Sequence, residues 1–170
     1  MLQRSMDVLE KILFFVSGLA MLASVGLALA AVIMRYVFSF SLEWIEEAAR
    51  YLALFAAFIV AGPVLRNKGH VALDLLVTGL TGARQQLHVF AVNLAAFIVG
   101  GAIFAWGAEL ALQTFEYGVL TASLQFPQWL PYSIVPLGMA ILVLFSLVGM
   151  IAAIQAMRAP APEARTQPEQ

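Results

Sequence analysis

The sequence predicts an all-α integral membrane protein with four transmembrane helices and short interfacial segments. Three observations predict it: 62% of the 170 residues are hydrophobic, only 11% are charged, and the charges fall into a few clusters separated by long apolar stretches. A soluble domain carries about 25% charged residues. A mean hydropathy of +0.91 therefore belongs to a chain whose main solvent is lipid.

Each span follows from where charge is absent. Ile12 to Met34 and Gln85 to Ala108 are charge-free over 23 and 24 residues, each long enough alone to cross the hydrocarbon. Tyr51 to Leu65 is shorter and becomes a span if its helix begins near Trp44, which leaves Glu46, Glu47 and Arg50 in the opening turns at headgroup depth. Tyr117 to Met157 is too long for one helix. Proline is best tolerated in a helix's first turn, so the last span is expected to run from near Pro131 to near Met157, with Trp129 at an interface. The apolar but interrupted segment Val71 to Arg84 suits an interfacial turn and short helix. Residues 1–158 are thus expected to form one transmembrane domain, and 159–170 a Pro-rich, polar, disordered tail.

Four spans put Arg4, Lys11, Arg66, Lys68, Arg84, Arg158 and Arg165 on one side and only Arg35 and Arg50 on the other. That asymmetry places both termini in the cytoplasm. A cleavable signal in place of the first span is disfavoured, because its apolar run exceeds the usual h-region and Asp7 and Glu10 dilute the positive flank.

The composition excludes several chemistries. A formal charge of −1 offers no basic surface to nucleic acid, and the absence of cysteine removes disulfides, thiolate metal sites and iron–sulfur clusters. No acid or base falls near the middle of a span, and Glu109 and Glu116 lie at or beyond the end of the third. An autonomous ion-coupled transporter would need such a group. No serine, histidine and carboxylate share a depth, so the chain is not expected to be an enzyme, and neither cofactor nor metal is expected. His70 and His88 sit near the same boundary and suit interfacial hydrogen bonding; a cytochrome b-type anchor with haem between them is the alternative class.

The densest polar feature opens the second span. At 100° per residue Glu43, Glu46, Glu47 and Arg50 share one arc, with Glu46 and Arg50 at the i,i+4 spacing of a favourable pair. Leu54, Ala57 and Ala61 continue that arc inward, within a ladder of alanines from Ala49 that would let another helix approach closely. These six, Glu43, Glu46, Glu47, Arg50, Ala57 and Ala61, are the candidate partner-interface residues. A solvated headgroup rim is the competing reading. Ala20, Ser24 and Ala28, with Ala96, Gly100, Gly101 and Ala105, extend the small-residue theme and suggest a packed bundle, and Asn93 could hydrogen-bond across it.

From the end of the first span the order of residues becomes specific: Met34-Arg35-Tyr36-Val37-Phe38, Trp44, Glu46-Glu47, Arg50-Tyr51-Leu52, Arg66, Gly69-His70 and Asp74. This pattern resembles the small membrane subunit, the DctQ-like component, of tripartite ATP-independent periplasmic (TRAP) transporters. The departure is in the second span, where Phe55-Ala56 and Phe58-Ile59-Val60 replace the family's usual Trp and Phe-Leu-Gly run and glycine is delayed to Gly62. The resemblance implies a scaffold bracing a large transmembrane transport subunit. It further implies sodium-coupled uptake of an organic acid delivered by a periplasmic binding protein, in the bacterial inner membrane. Arg35, Arg66, His70 and Asp74 are motif positions to which the resemblance assigns no task.

Overall fold

The computed structural model describes residues 2–67 and 83–158, and within these shows α1 (Leu2–Val37), α2 (Glu43–Ile59), α3 (Ala83–Glu116), α4 (Trp129–Tyr132) and α5 (Ile134–Arg158). Helix resumes over 61–67 after α2. Four segments are long and apolar enough to cross a membrane: Met6–Val37, Glu43–Asn67, Gln85–Glu116 and Trp129–Met157. His70, Asp74, the interfacial segment expected after Val71 and the tail from 159 lie outside the described residues.

The helices form an open row in the order α1, α2, α5, α3. Among the described residues α2 packs against α1 and α5, and α3 against α5, while α1 and α3 form no packed pair. In α1 the buried positions Leu13, Ser17, Ala20, Ser24 and Ala31 make one stripe. Ser17 and Ser24 hydroxyls on that stripe donate to the carbonyls of Ala56 (2.9 Å) and Ala49 (2.7 Å), fixing an antiparallel pair at close backbone approach. Ala28, from the same small-residue ladder, is exposed instead.

Proline ends α2. Pro63 has no N–H to return to the Ile59 carbonyl, and the helix breaks at Val60. The break is seated on α5: Gly62 lies against Ile141 and Phe145, and Gly138 against the backbone of Phe58. Here the delayed glycine has its use, because a side chain at Gly138 would collide with Phe58 and one at Gly62 would crowd Ile141 and Phe145. Behind this joint Met6, Leu13 and Phe145 form a buried cluster joined by Leu9, Ile59, Ile141 and Val148. On the far side Gly100 and Gly107 of α3 fit against Leu142 and Pro136, and Gly149 accommodates Asn93. Asn93 does not bond across the helices as expected; its amide donates to Val89 within α3 (2.8 Å), because the glycine facing it offers no side-chain partner.

The pairs are staggered. Phe58 is well down α2, whereas its neighbour Gly138 is in the first turns of α5, so α5 begins about 16 Å further along than α2. The non-helical chain 117–128 occupies the space so left beside the first turns of α2. Gly118, at φ 60°, ends α3 in the left-handed conformation. The chain then doubles back, with Leu120 opposite Pro127, the Thr121 amide on the Phe126 carbonyl (2.9 Å) and the Gln128 amide on the Val119 carbonyl (2.9 Å). α3 itself runs on through Glu109 and Glu116, beyond the charge-free window, and both carboxylates are exposed.

Candidate functional site

The polar residues gather at the two ends of the row. At the end carrying the N-terminus and the end of α5, Arg66 donates to Asp7 (2.6 Å) and Glu10 (3.0 Å), and the Asn67 amide donates to Glu10 (2.7 Å). Asp7 and Glu10, which in the sequence only weakened a signal-peptide reading, are the partners that Arg66 lacked. This clasp ties the start of α1 to the end of the second span.

At the opposite end, α1 finishes with Arg35 in its last turn, and α2 opens with Glu43 and Glu46 in its first. Each charge complements the helix dipole at its position. Ser39, at φ 53°, and the Phe40 amide on the Met34 carbonyl (3.1 Å) reverse the chain between them. The reversal brings Arg35 onto Glu46, which takes Glu46 away from the Arg50 pairing expected from helical spacing alone. A cross-helix guanidinium at the mouth of the turn competes better than one a full turn down the same helix.

Glu47 points the other way and is buried, with 8% of its surface exposed. One carboxylate oxygen accepts the backbone amides of Ser123 (2.8 Å) and Leu124 (3.1 Å); the other accepts the Tyr51 hydroxyl (2.8 Å). The Tyr51 ring meets Phe126 edge-on, centroids 6.2 Å apart. Glu47 is thus the polar plug that ties the 117–128 hairpin to α2. Its burial follows from the stagger, since amides of the hairpin take the place that apolar side chains of α5 fill lower down.

Arg35, Ser41, Glu43, Glu46, Glu47, Arg50, Ala122 and Ser123 line an open cleft of about 380 Å³. Of the six candidate interface residues, Glu46 and Glu47 are committed to contacts within the chain. Glu43, Arg50 and Ala57 are exposed, and Ala61 is half-buried on the same arc. The first turns of α2 and the last of the second span also set the thickness of the molecule. Glu47 and Arg66 are separated by about 28 Å along the helix, close to the roughly 30 Å of a hydrocarbon core.

Among the described residues no group of three or more histidine, aspartate or glutamate side chains could hold a metal ion. Nδ1 of His88 is buried without a hydrogen-bond partner among them. Its expected partner, His70 of the haem alternative, lies outside the described residues.

Comparison with known proteins agrees with the geometry. The family model described as tripartite ATP-independent periplasmic transporters, DctQ component, matches residues 24–156. The isethionate TRAP transporter permease protein DctMQ of Oleidesulfovibrio alaskensis is 22% identical over 147 residues, covering 81% of this chain and 23% of that protein. The C4-dicarboxylate TRAP transporter small permease protein DctQ of Rhodobacter capsulatus is 24% identical over 102 residues, covering 60% of this chain and 45% of that protein. The chain thus matches less than half the length of either relative. Neither relative favours the haem-bearing alternative. With the matched segment taking in the second and third spans whole, all but the last residue of the fourth and the latter part of the first, the chain belongs to the DctQ component family of TRAP transporters, as a multi-pass small permease component.

Proposed function

We propose that this chain is the bracing subunit of a TRAP transporter, holding a large transmembrane subunit that performs sodium-coupled uptake of an organic acid delivered by a periplasmic binding protein. The observation that carries this reading is the open row. Four spans packed side by side leave broad apolar faces, including Phe15, Leu22, Leu29, Ile98 and Leu137, uncovered by the chain itself. No described ionisable side chain lies in the central turns of any span, so the described residues offer no coupling site of their own. A surface of this kind suits a wall against which another protein moves.

The names of the relatives support the partner and the substrate class. One joins DctM to DctQ in a protein of which this chain matches 23%, as a small component working beside a larger one would require. Isethionate and C4-dicarboxylate are both small organic anions. The distribution of Lys and Arg supports both termini in the cytoplasm and residence in the bacterial inner membrane.

Co-expression with the large membrane subunit of its transporter tests the assignment. A tag on the large protein should recover this chain in one-to-one amount, and deleting this chain should abolish uptake. Full uptake by cells lacking the chain would overturn the bracing role.

A further inference from the structure

We infer that the exposed front of α2 is the seat of a helix from the large transmembrane subunit, and that Arg50 receives a carboxylate from that helix. The inference rests on the bracing reading and names the contact within it.

Glu43, Arg50, Leu54 and Ala57 fall within an arc of about 60° on α2, and Ala61 follows in the helix that resumes after the break at Val60. The first four are exposed, whereas Ile45, Ala49, Ala56 and Pro63 on the other side are buried against α1 and α5. The front is therefore the side of α2 that the row leaves open. Its charges are unequally satisfied. Glu46 holds Arg35, and both oxygens of Glu47 are taken by Ser123, Leu124 and Tyr51. No ion pair or hydrogen bond engages the Arg50 side chain among the described residues.

Arg50 also lies about one turn deeper than Glu46 and Glu47, on the side of the cleft where the apolar face begins. A guanidinium there wants a bidentate acceptor. Lipid phosphate could supply one, but lipid has no use for what lies beneath. Ala57 and Ala61 continue the front with small side chains, which admit a second helix backbone closely enough to bury the pair. Cation above and small residues below make one continuous surface with the chemistry of a helix carrying an acidic residue near its membrane boundary.

The chain contains no cysteine, so single cysteines report without background. In the co-expressed complex, Ala57→Cys and Leu54→Cys should each cross-link to the large subunit through a short bismaleimide, once that subunit carries a cysteine series along its helices. Phe15→Cys on α1 serves as the lipid-facing comparison. Arg50→Glu should lower recovery of the complex at least tenfold, and an acid-to-lysine change at the matching depth of the cross-linked helix should restore it. Cross-linking absent at both α2 positions in an assembled complex would overturn the seat. Undiminished recovery of Arg50→Glu would leave the cation to lipid headgroups and overturn the ion pair. If wild-type chain fails to copurify at all, the bracing reading falls first, which separates the two failures.

Discussion

Gly138→Ala is the substitution that most sharply tests the joint between α2 and α5. An added Cβ would stand 2.6 Å from both the Cβ and the carbonyl oxygen of Phe58, and 2.7 Å from its carbonyl carbon. Two of those three atoms are backbone and cannot rotate away, so the helices must part. Overpacking of this kind costs about 1–3 kcal/mol, and contact with backbone puts the site near the upper end. Alanine regains roughly 1 kcal/mol of helix propensity over glycine, leaving a net loss of about 2 kcal/mol. Gly26→Ala and Gly101→Ala supply the opposite sign, because neither added methyl meets anything within 4 Å and only the propensity gain of about 1 kcal/mol remains. The isolated chain in detergent, unfolded by heat and followed by circular dichroism, should therefore order the variants with Gly26→Ala and Gly101→Ala above wild type and Gly138→Ala below it. A Gly138→Ala protein as stable as wild type would refute the close approach of α2 and α5 and the row built on it.

Glu47→Ala should speed amide hydrogen exchange at Ser123 and Leu124 while leaving α3 and α5 protected; Glu47→Gln, which keeps an acceptor oxygen, should leave most of that protection in place. Arg66→Ala should cost about 1 kcal/mol at low salt and less at high salt, since its partner Asp7 is largely exposed and such pairs are screened; a salt-independent loss in thermal unfolding would contradict this. The candidate spans run to 25–32 residues where about 20 suffice, and α5 is offset from α2 along the row. Oriented-bilayer infrared dichroism of the chain should accordingly show the longer helices tilted from the bilayer normal, and helices all parallel to the normal would contradict this. A fluorescent protein fused after Gln170 should be active and an alkaline phosphatase fused there inactive, with the reverse for fusions within 119–125.

Much of the fold is legible in the sequence because the bilayer makes hydropathy a local signal. The spans, the start of α2 near Trp44 and the start of the last span near Pro131 all follow from residues within a turn or two, whereas the break before Pro63 was not expected. Which helices are neighbours does not, since every small-residue ladder suits any partner equally well. Ser17, Ser24 and Gly138 acquire meaning only once Ala56, Ala49 and Phe58 are found beside them. The charged arc shows the same division. Helical spacing placed Glu43, Glu46, Glu47 and Arg50 together correctly, yet it could not see Arg35 arriving across the turn or the hairpin amides reaching Glu47 from more than seventy residues away. The Arg66 clasp with Asp7 and Glu10 was hidden for the same reason, its members being separated by 56 and 59 positions. Local reading pairs Glu46 with Arg50, while in the folded chain Glu46 is taken by Arg35 and no described residue pairs with Arg50.

The central claim, a brace with no transport path of its own, is tested most directly by uptake into sodium-gradient proteoliposomes. Three preparations suffice: this chain alone, the large subunit alone, and the two together, each supplied with the binding protein loaded with its organic acid. Sodium-dependent accumulation is expected only when both membrane proteins are present. Accumulation above background by this chain alone would contradict the account, because no described residue in its spans could couple the ion to the substrate.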